Sequence, residues 1–210
     1  MTTTQELKPL TLLSVVIPAR DEEGCICSTV EQLNLELRLH NIPHEIIVVD
    51  DGSTDRTGEL LTALQKHLPE LKPVTNDGPH GFGRAIIRGL DHMGGDAVVI
   101  MMADESDDCR DVVRYWNELN KGVDCVFGSR FMRGGGIVGY PRVKRILNRF
   151  ANTFIKIIFH ISLNDTTNAF KAYRRGVIDV YRTANQATNN ADVRTGCPRC
   201  DPQGTIPLEQ

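Results

Sequence analysis

The sequence predicts an α/β fold with a mainly parallel sheet flanked by helices, and three observations support this prediction. Strand-like and helix-like segments alternate over roughly the first 130 of the 210 residues. Most of the strand-like segments are continuous apolar runs rich in β-branched residues, which is typical of strands buried on both faces of a sheet. A composition of 40% hydrophobic and 24% charged residues suits a single sizeable core.

The predicted elements follow one another closely along the chain. The predicted strands are Leu12–Pro18, Glu45–Asp50, Leu71–Thr75, Asp96–Met102 and Asp124–Gly128. The predicted helices are Gly24–His40, Asp55–His67, Gly83–His92 and Asp108–Lys121. Short polar side chains are favoured at helix N-caps, so Ser53, Thr54 and Asp55 are expected to cap the second helix and Asp107 the fourth.

A different pattern follows the glycines at 134–136. Arg142–Ile161 has apolar residues at helical spacing with basic residues between them, and Asn168–Tyr173 resembles a short strand. Such a helix is either an ordinary core-packing helix with a charged face, which base rates favour, or a basic amphipathic helix at a membrane surface. Periodicity ends at Tyr181, so we expect one domain over 1–180 and a polar, poorly ordered tail over 181–210.

Several classes of protein are disfavoured by composition. The net charge of −3 argues against a nucleic-acid binder. No apolar run reaches 18 residues, and the N-terminus lacks the basic start and apolar stretch of a secretory signal. Cys197 and Cys200 have ligand-like spacing but no second ligand pair, which disfavours zinc. A cytoplasmic protein with reduced thiols is therefore expected.

Carboxylates follow three of the predicted strands where each strand ends, at residues 18–23, 50–55 and 103–108. Ligands of open α/β sheets bind beyond the carboxyl ends of the strands. Carboxylates there can accept hydrogen bonds from a nucleoside or chelate Mg²⁺ or Mn²⁺, which bridges to phosphates. One such cluster is equally well explained by helix capping and solvated loops. Three clusters at equivalent positions predict a polyoxygenated, phosphate-bearing ligand with a metal.

The glycine-rich segment Gly78–Ala85 opens the third helix, where it either approaches a ligand or makes a tight turn. It lacks the third glycine of a dinucleotide fingerprint, and the chain has no Walker-type phosphate loop. The six histidines form no local constellation, so each is expected to be structural or to face solvent.

The order of these motifs resembles glycosyltransferase family 2, and most closely the dolichyl- or polyprenyl-phosphate sugar synthases of the dolichol-phosphate mannosyltransferase kind. The motifs are Pro-Ala-Arg-Asp-Glu at 18–22, Val-Asp-Asp-Gly-Ser-Thr-Asp at 49–55, Gly-Phe-Gly-Arg-Ala at 81–85, Met-Ala-Asp-Glu-Ser-Asp-Asp at 102–108 and Gly-Ser-Arg at 128–130. The resemblance runs from about Leu12 to Val180, and Asp165–Arg175 strengthens the narrower identification.

The resemblance implies a GT-A nucleotide-diphospho-sugar transferase fold. It implies an inverting transfer of a mannose- or glucose-type sugar from a GDP- or UDP-sugar to a dolichyl or polyprenyl phosphate. The implied donor-binding residues are Pro18, Ala19, Arg20, Glu22, Val49, Asp51, Ala103, Asp104, Ser106 and Arg130. Asp104 and Ser106 would hold Mg²⁺ or Mn²⁺, and Asp104 and Arg130 would be catalytic. A lipid phosphate is already ionised near neutral pH, so positioning and stabilisation of the departing diphosphate replace a strong general base.

The implied partners are a nucleotide-sugar donor and a lipid-phosphate acceptor, with the enzyme peripheral on the cytoplasmic membrane face. A membrane-anchoring partner subunit fits this picture. Two departures keep alternatives open: Met102 replaces the first carboxylate of the family's Asp-x-Asp metal motif, and 181–210 matches no family element. The alternatives are transfer to a growing glycan and a catalytically weak donor-binding subunit.

Overall fold

The computed structural model describes residues 9–129, 168–187 and 205–207. The predicted helix Arg142–Ile161, the glycines before it, Arg130 and most of the predicted tail lie outside these residues. Among the described helices, none is both long enough and apolar enough to cross a membrane.

The described strands form one seven-stranded sheet, and all but one of them run in the same direction. Their order across the sheet is β3-β2-β1-β4-β6-β5-β7, with only β6 antiparallel to its neighbours. The strands are β1 (Leu13–Ala19), β2 (His44–Asp50), β3 (Leu71–Thr75), β4 (Ala97–Ile100), β5 (Cys125–Ser129), β6 (Lys171–Arg174) and β7 (Thr205–Pro207). The predicted mainly parallel sheet is confirmed.

Five described helices connect or follow these strands. They are α1 (Ile26–Leu39), α2 (Thr57–Gln65), α3 (Phe82–Asp91), α4 (Cys109–Asn120) and α5 (Arg175–Ala187). The first four lie at the four predicted positions. The ends differ from the predicted bounds by one or two residues, because local patterns define the interior of an element better than its termini.

The core has two layers because successive residues of a strand point to opposite faces of the sheet. In β1, Val15 and Ile17 pack with α1, α2 and α4 on one face, whereas Val16 packs on the other face towards α3 and α5. An ideal Cβ at Gly89 of α3 would lie 2.4 Å from Val16 Cγ1, so glycine permits this close approach. Both faces are covered, which explains the continuous apolar character of β1 and β2.

Two expected helix caps differ from the structure. Asp108, not Asp107, caps α4 by accepting a hydrogen bond from Arg110 N. The residue before α2 is Arg56, which makes no side-chain cap. Asp107 is instead buried and accepts from Met102 N at 2.9 Å. Several neighbouring residues before each helix have side chains that can cap it, and local sequence rules do not distinguish them. Tertiary contacts decide which of them becomes the cap.

Two further differences concern the C-terminal part and the thiols. Helix α5 continues to Ala187, and Thr205–Pro207 pairs in parallel with β5, so parts of the predicted tail belong to the fold. Helical order extends past Tyr181 because the first turns of α5 are anchored, with Ile178 buried in the core and Arg182 paired to Asp91. Cys25, Cys27 and Cys109 are free, but Cys125 is disulfide-bonded, unlike the reduced thiols expected throughout.

Candidate active site

The carboxyl ends of β1, β2 and β4 meet at one edge of the sheet. Ala19 is paired with Asp50 in the parallel register of β1 and β2, and Asp51 N donates to Ala19 O at 2.9 Å. On the other side of β1, Met101 N donates to Val16 O at 3.0 Å. The three acidic segments predicted from the sequence are therefore neighbours in the fold.

The loops after β1 and β2 are joined by Asp21, whose side chain faces the neighbouring loop. Its Oδ1 accepts hydrogen bonds from Thr54 N at 2.6 Å and Asp55 N at 3.3 Å, and its own N donates to Ser53 Oγ at 3.0 Å. The hydrogen bond from the Thr54 main chain is the main cause that lowers the pKa of the Asp21 carboxyl group. Asp21 has a φ of 56°, a left-handed value that is uncommon outside glycine. This carboxylate holds the loops after β1 and β2 together.

Asp55 and Glu23 extend this connection. Glu23 N donates to Asp55 Oδ2 at 3.0 Å, and Arg56 N donates back to Glu23 Oε2 at 3.1 Å. Asp55 also accepts from Thr57 N and Thr57 Oγ1 through its other oxygen. Partial burial would raise the pKa of Asp55, but the hydrogen bonds from Thr57 outweigh it and the pKa is lowered. Each of these two carboxylates thus accepts a hydrogen bond from the main chain of the loop that carries the other.

Asp51 is the most enclosed carboxylate of this edge, with 4% of its surface exposed. Its Oδ1 accepts from Asn76 Nδ2 at 2.6 Å and from His80 Nδ1 at 3.3 Å, and its Oδ2 accepts from Gly81 N at 2.7 Å. Burial acts to raise the pKa of Asp51, but these three donors, with Asn76 the strongest, lower it overall. Asp51 is thus an ionised side chain that ties the turn before α3 to the end of β2.

The loop after β4 carries two exposed acidic side chains, Asp104 and Glu105. Asp104 is exposed, and its Oδ1 accepts only from Ser106 N at 3.1 Å, so its other oxygen faces solvent free of hydrogen bonds from the described residues. Ala103 O accepts from Thr29 Oγ1 at 2.8 Å, which fixes this loop on α1. Glu105 accepts from Ser28 Oγ, also on α1.

Cys25 shows that the ends of β1 and β4 share one electrostatic environment. Its Sγ donates to Glu22 Oε2 at 3.1 Å. Burial, followed by the charges of Glu22, Glu105 and Asp104, raises the pKa of this thiol to about 11. Glu22 and Asp104, which are 82 residues apart in sequence, therefore act on the same group. Their charges make the region between these two strand ends negative.

The residues of this region suit a divalent cation that is shared with phosphates. Within residues 9–129, 168–187 and 205–207, no three His, Cys, Asp or Glu side chains converge as a complete metal site. Mg²⁺ usually keeps few protein ligands and completes its shell with water and substrate phosphate. The free oxygen of Asp104, with the exposed Ser106 beside it, provides such a partial ligand set.

The predicted donor-binding residues divide by exposure. Arg20, Asp104 and Ser106 are exposed and Glu22 is half-buried. The buried ones, which lie beneath the exposed ones at the carboxyl ends of the strands, are Pro18, Ala19, Val49, Asp51 and Ala103. Arg130 lies outside the described residues, immediately after β5.

Two residues of the site were missed by the sequence analysis. Asn76 and His80 both donate to Asp51, and the ring of His80 lies against Gly52. The sequence feature that could have pointed to His80 was its position between two glycines, Gly78 and Gly81, in the segment that follows β3. Its partner is 29 residues away in sequence, so local spacing did not reveal the contact.

Comparison with known proteins agrees with this geometry. The sequence model of glycosyl transferase family 2 matches residues 14–182. Polyprenol monophosphomannose synthase of Mycolicibacterium smegmatis is 30% identical over 178 residues, which cover 82% of this chain and 65% of that protein. Dolichol-phosphate mannosyltransferase of Pyrococcus furiosus is 28% identical over 171 residues, which cover 80% of this chain and 47% of that protein. The chain thus spans about half to two thirds of the length of these relatives.

Solved structures show the same fold. Mannosyl-3-phosphoglycerate synthase from Rubrobacter xylanophilus matches with a TM-score of 0.61 and 20% identity, over 79% of this chain and 53% of that one. Glucosyl-3-phosphoglycerate synthase from Mycobacterium tuberculosis, in complex with Mn²⁺ and UDP-glucose, matches with a TM-score of 0.59 and 25% identity, over 80% and 57% respectively. The predicted GT-A fold is confirmed by these similarities.

Proposed function

The chain belongs to glycosyl transferase family 2, and on that premise we propose that it transfers a sugar from a nucleotide-sugar to a lipid phosphate. The donor is a GDP- or UDP-linked sugar of mannose or glucose type, the acceptor a dolichyl or polyprenyl phosphate, and the transfer inverts the anomeric centre. The observation that carries the proposal is the exposed Asp104 carboxylate beside the enclosed ends of β1 and β2.

The names of the curated relatives support the lipid acceptor. Two were introduced above, and a third is undecaprenyl-phosphate 4-deoxy-4-formamido-L-arabinose transferase of Yersinia enterocolitica, 28% identical over 178 residues. All three are named for a polyprenyl-type phosphate and a sugar. The proposed location is accordingly cytoplasmic, at the cytoplasmic face of a membrane, with or without an anchoring partner subunit.

The described residues divide the proposed donor site into two parts. The buried floor of Pro18, Ala19 and Val49, with Arg20 and Glu22 above it, receives the nucleoside. Asp104 and Ser106 would hold Mg²⁺ or Mn²⁺, and the hydrogen bond from Thr29 to the main chain of Ala103 fixes the start of their loop. The metal, when bound, neutralises charge on the departing diphosphate.

The chemistry of the acceptor makes a strong general base unnecessary. A phosphate oxygen carries negative charge near neutral pH, so it attacks the anomeric carbon without first losing a proton to the protein. The described residues need only align the two substrates and stabilise the leaving group. We assign stabilisation of the leaving group to Arg130, which follows the described segment 9–129, and to the metal that Asp104 would hold.

Transfer is tested with the full chain, radiolabelled GDP-mannose or UDP-glucose, and a short polyprenyl phosphate in detergent micelles, with Mn²⁺ or with EDTA. We expect lipid-linked sugar only when the metal is present. Asp104→Ala should lower turnover by about 100-fold or more, since it removes the exposed metal ligand. The matched control is Asp179→Ala, an exposed aspartate of α5, which should keep wild-type turnover.

A donor-binding subunit is the second candidate, and Met102 favours it because a thioether replaces the first carboxylate of the metal motif. The transfer assay, combined with a measurement of the melting temperature, separates the transferase from the donor-binding subunit. If GDP or UDP raises the melting temperature while no lipid-linked sugar forms, the chain binds donor without turning it over. Unchanged turnover in Asp104→Ala would show that the metal site has been placed on the wrong residue.

A further inference from the structure

Asp107 closes the loop that carries the exposed carboxylate of Asp104. Its Oδ2 accepts a hydrogen bond from Met102 N at 2.9 Å, across five positions of the chain. Met102 follows the end of β4 and Asp107 stands directly before the N-cap of α4, so this hydrogen bond joins the two ends of the loop. Asp104 and Ser106, the proposed metal ligands, lie between these ends.

The Asp107 side chain is enclosed by the protein. Its exposed fraction is 6%, whereas Asp104, three positions earlier, is exposed. Burial, and after it the charge of Asp107, raises the pKa of Tyr115, a fully buried side chain of α4. The charge of Asp107 therefore acts inside the fold, and its carboxylate is not an open ligand like that of Asp104.

Two contacts with α1 hold the same loop from another side. Thr29 Oγ1 donates to Ala103 O at 2.8 Å, and Ser28 Oγ donates to the Glu105 side chain. Glu105 has a φ of 59°, a left-handed value that is uncommon outside glycine. The residues immediately before and after Asp104 are thus both held by hydrogen bonds, and the loop has a defined shape around its exposed carboxylate.

The metal motif of this chain makes the position of Asp104 important. Met102 stands where the family's motif has its first carboxylate, and a thioether is a poor ligand for Mg²⁺ or Mn²⁺. Asp104 must then act without that second carboxylate. A site with so few protein ligands is weakened when a ligand is free to move, because fixing it on binding costs conformational entropy.

We propose that Asp107 is a positioning residue for the metal site: by accepting from Met102 N, it holds the loop in the shape that presents Asp104 and Ser106 to the cation. Asp107 itself touches neither the metal nor the substrate. The inference rests on the proposed function, because it requires a nucleotide and a divalent metal to bind at this edge of the sheet.

The test measures how much Mn²⁺ strengthens nucleotide binding. Dissociation constants of GDP and UDP are determined by titration calorimetry with Mn²⁺ and with EDTA, for wild-type protein and each variant. The ratio of the two constants, called here the Mn²⁺ gain, reports the coupling between metal and nucleotide. The constant in EDTA reports the state of the rest of the donor site. Melting temperatures are measured as well, so that every titration is run on folded protein.

The variants separate positioning from stability. Asp107→Asn keeps an oxygen that can accept from Met102 N, whereas Asp107→Ala has none; Asp107→Ser, with a side chain one bond shorter, serves if the alanine variant does not fold. Asp104→Ala removes the proposed ligand itself. The matched control is Glu45→Ala, because Glu45 is also a buried carboxylate that accepts from a main-chain N–H, that of Gly94, but it lies at the amino end of β2.

We expect Asp107→Ala to lower the Mn²⁺ gain by about tenfold, towards the value of Asp104→Ala, while its affinity in EDTA stays within about twofold of wild type. Asp107→Asn should keep the gain within about threefold of wild type, since it restores the acceptor. Glu45→Ala should keep the full gain although it is less stable.

The inference is overturned if Asp107→Ala keeps the wild-type gain, or if Asp107→Asn loses as much of it, because the hydrogen bond to Met102 N would then not be the cause. Equal losses with Mn²⁺ and with EDTA also overturn it, since a residue that only stabilises the fold behaves in that way. If wild-type protein binds a nucleotide without any Mn²⁺ gain, the proposed metal site fails and this inference with it. If neither GDP nor UDP binds wild-type protein, the proposed function itself fails.

Discussion

Asp51→Asn is the sharpest test of the contacts at the end of β2. The side chain is nearly fully buried and accepts three hydrogen bonds, from Asn76, His80 and Gly81. Asparagine has almost the same shape but replaces one acceptor oxygen by an NH₂ group and removes the charge. The substitution therefore changes hydrogen bonding without creating a cavity.

The cost follows from the geometry. If the NH₂ group takes the place of Oδ2, it faces Gly81 N and that hydrogen bond is lost. If it takes the place of Oδ1, the hydrogen bonds from both Asn76 and His80 are lost. The better orientation leaves one buried donor unpaired, which costs about 1–3 kcal/mol, and weakens two bonds that the charge had strengthened. We expect Asp51→Asn to lower the free energy of unfolding by about 3 kcal/mol.

Urea denaturation at pH 7 measures this difference, with Asp179→Asn as an exposed control expected within about 0.5 kcal/mol of wild type. The melting temperature should fall by about 6–12 °C for a chain of this size. Because folding lowers the pKa of Asp51, its contribution is present above the unfolded pKa of about 3.9 and is lost as pH falls through the folded pKa. The difference between wild type and Asp51→Asn should accordingly be constant from pH 7 to about 5 and shrink below about 4. A difference below about 1 kcal/mol at pH 7, or one unchanged at low pH, would refute this account.

Three further predictions concern packing and buried polar groups, each measured as the change in free energy of unfolding in urea. Gly89→Ala places a methyl group 2.4 Å from Val16 Cγ1 and should destabilise the protein by about 1–3 kcal/mol, although alanine favours helix more than glycine does. A variant more stable than wild type would contradict the close approach of α3 to β1. Glu45→Ala leaves three donors, including Lys72 Nζ, without their buried acceptor, and should lower the free energy of unfolding by about 3 kcal/mol. Because the pKa of Glu45 is lowered in the folded protein despite its burial, this difference from wild type should diminish as the pH falls below about 4. Tyr115→Phe removes a fully buried hydroxyl that donates to a main-chain oxygen at 3.0 Å and should cost about 1–2 kcal/mol, with no loss of helix by circular dichroism.

The order and type of the elements could be predicted because they depend on local patterns. The runs in β1 and β2 are apolar on both faces, which indicates central parallel strands before any contact is known. Among the described strands, only β6 interrupts the parallel order, by lying between β4 and β5 in the reverse direction. Its strand character was predicted, but its direction and neighbours depend on pairing between residues 44 to 77 positions apart, as in Phe127 with Lys171 and Ala97 with Arg174.

The sequence by itself determined that three acidic segments meet at the carboxyl edge of one sheet, since parallel strands bring their ends together. Only the tertiary structure decided what each carboxylate does there. Asp21 and Asp55 are held by the main chain of neighbouring loops, Asp51 is enclosed by Asn76, His80 and Gly81, and Asp104 keeps a free oxygen. The physical reason is that a carboxylate accepts whichever donors lie nearest in space, and for Asp21 and Asp51 these donors are 25 to 34 residues away along the chain.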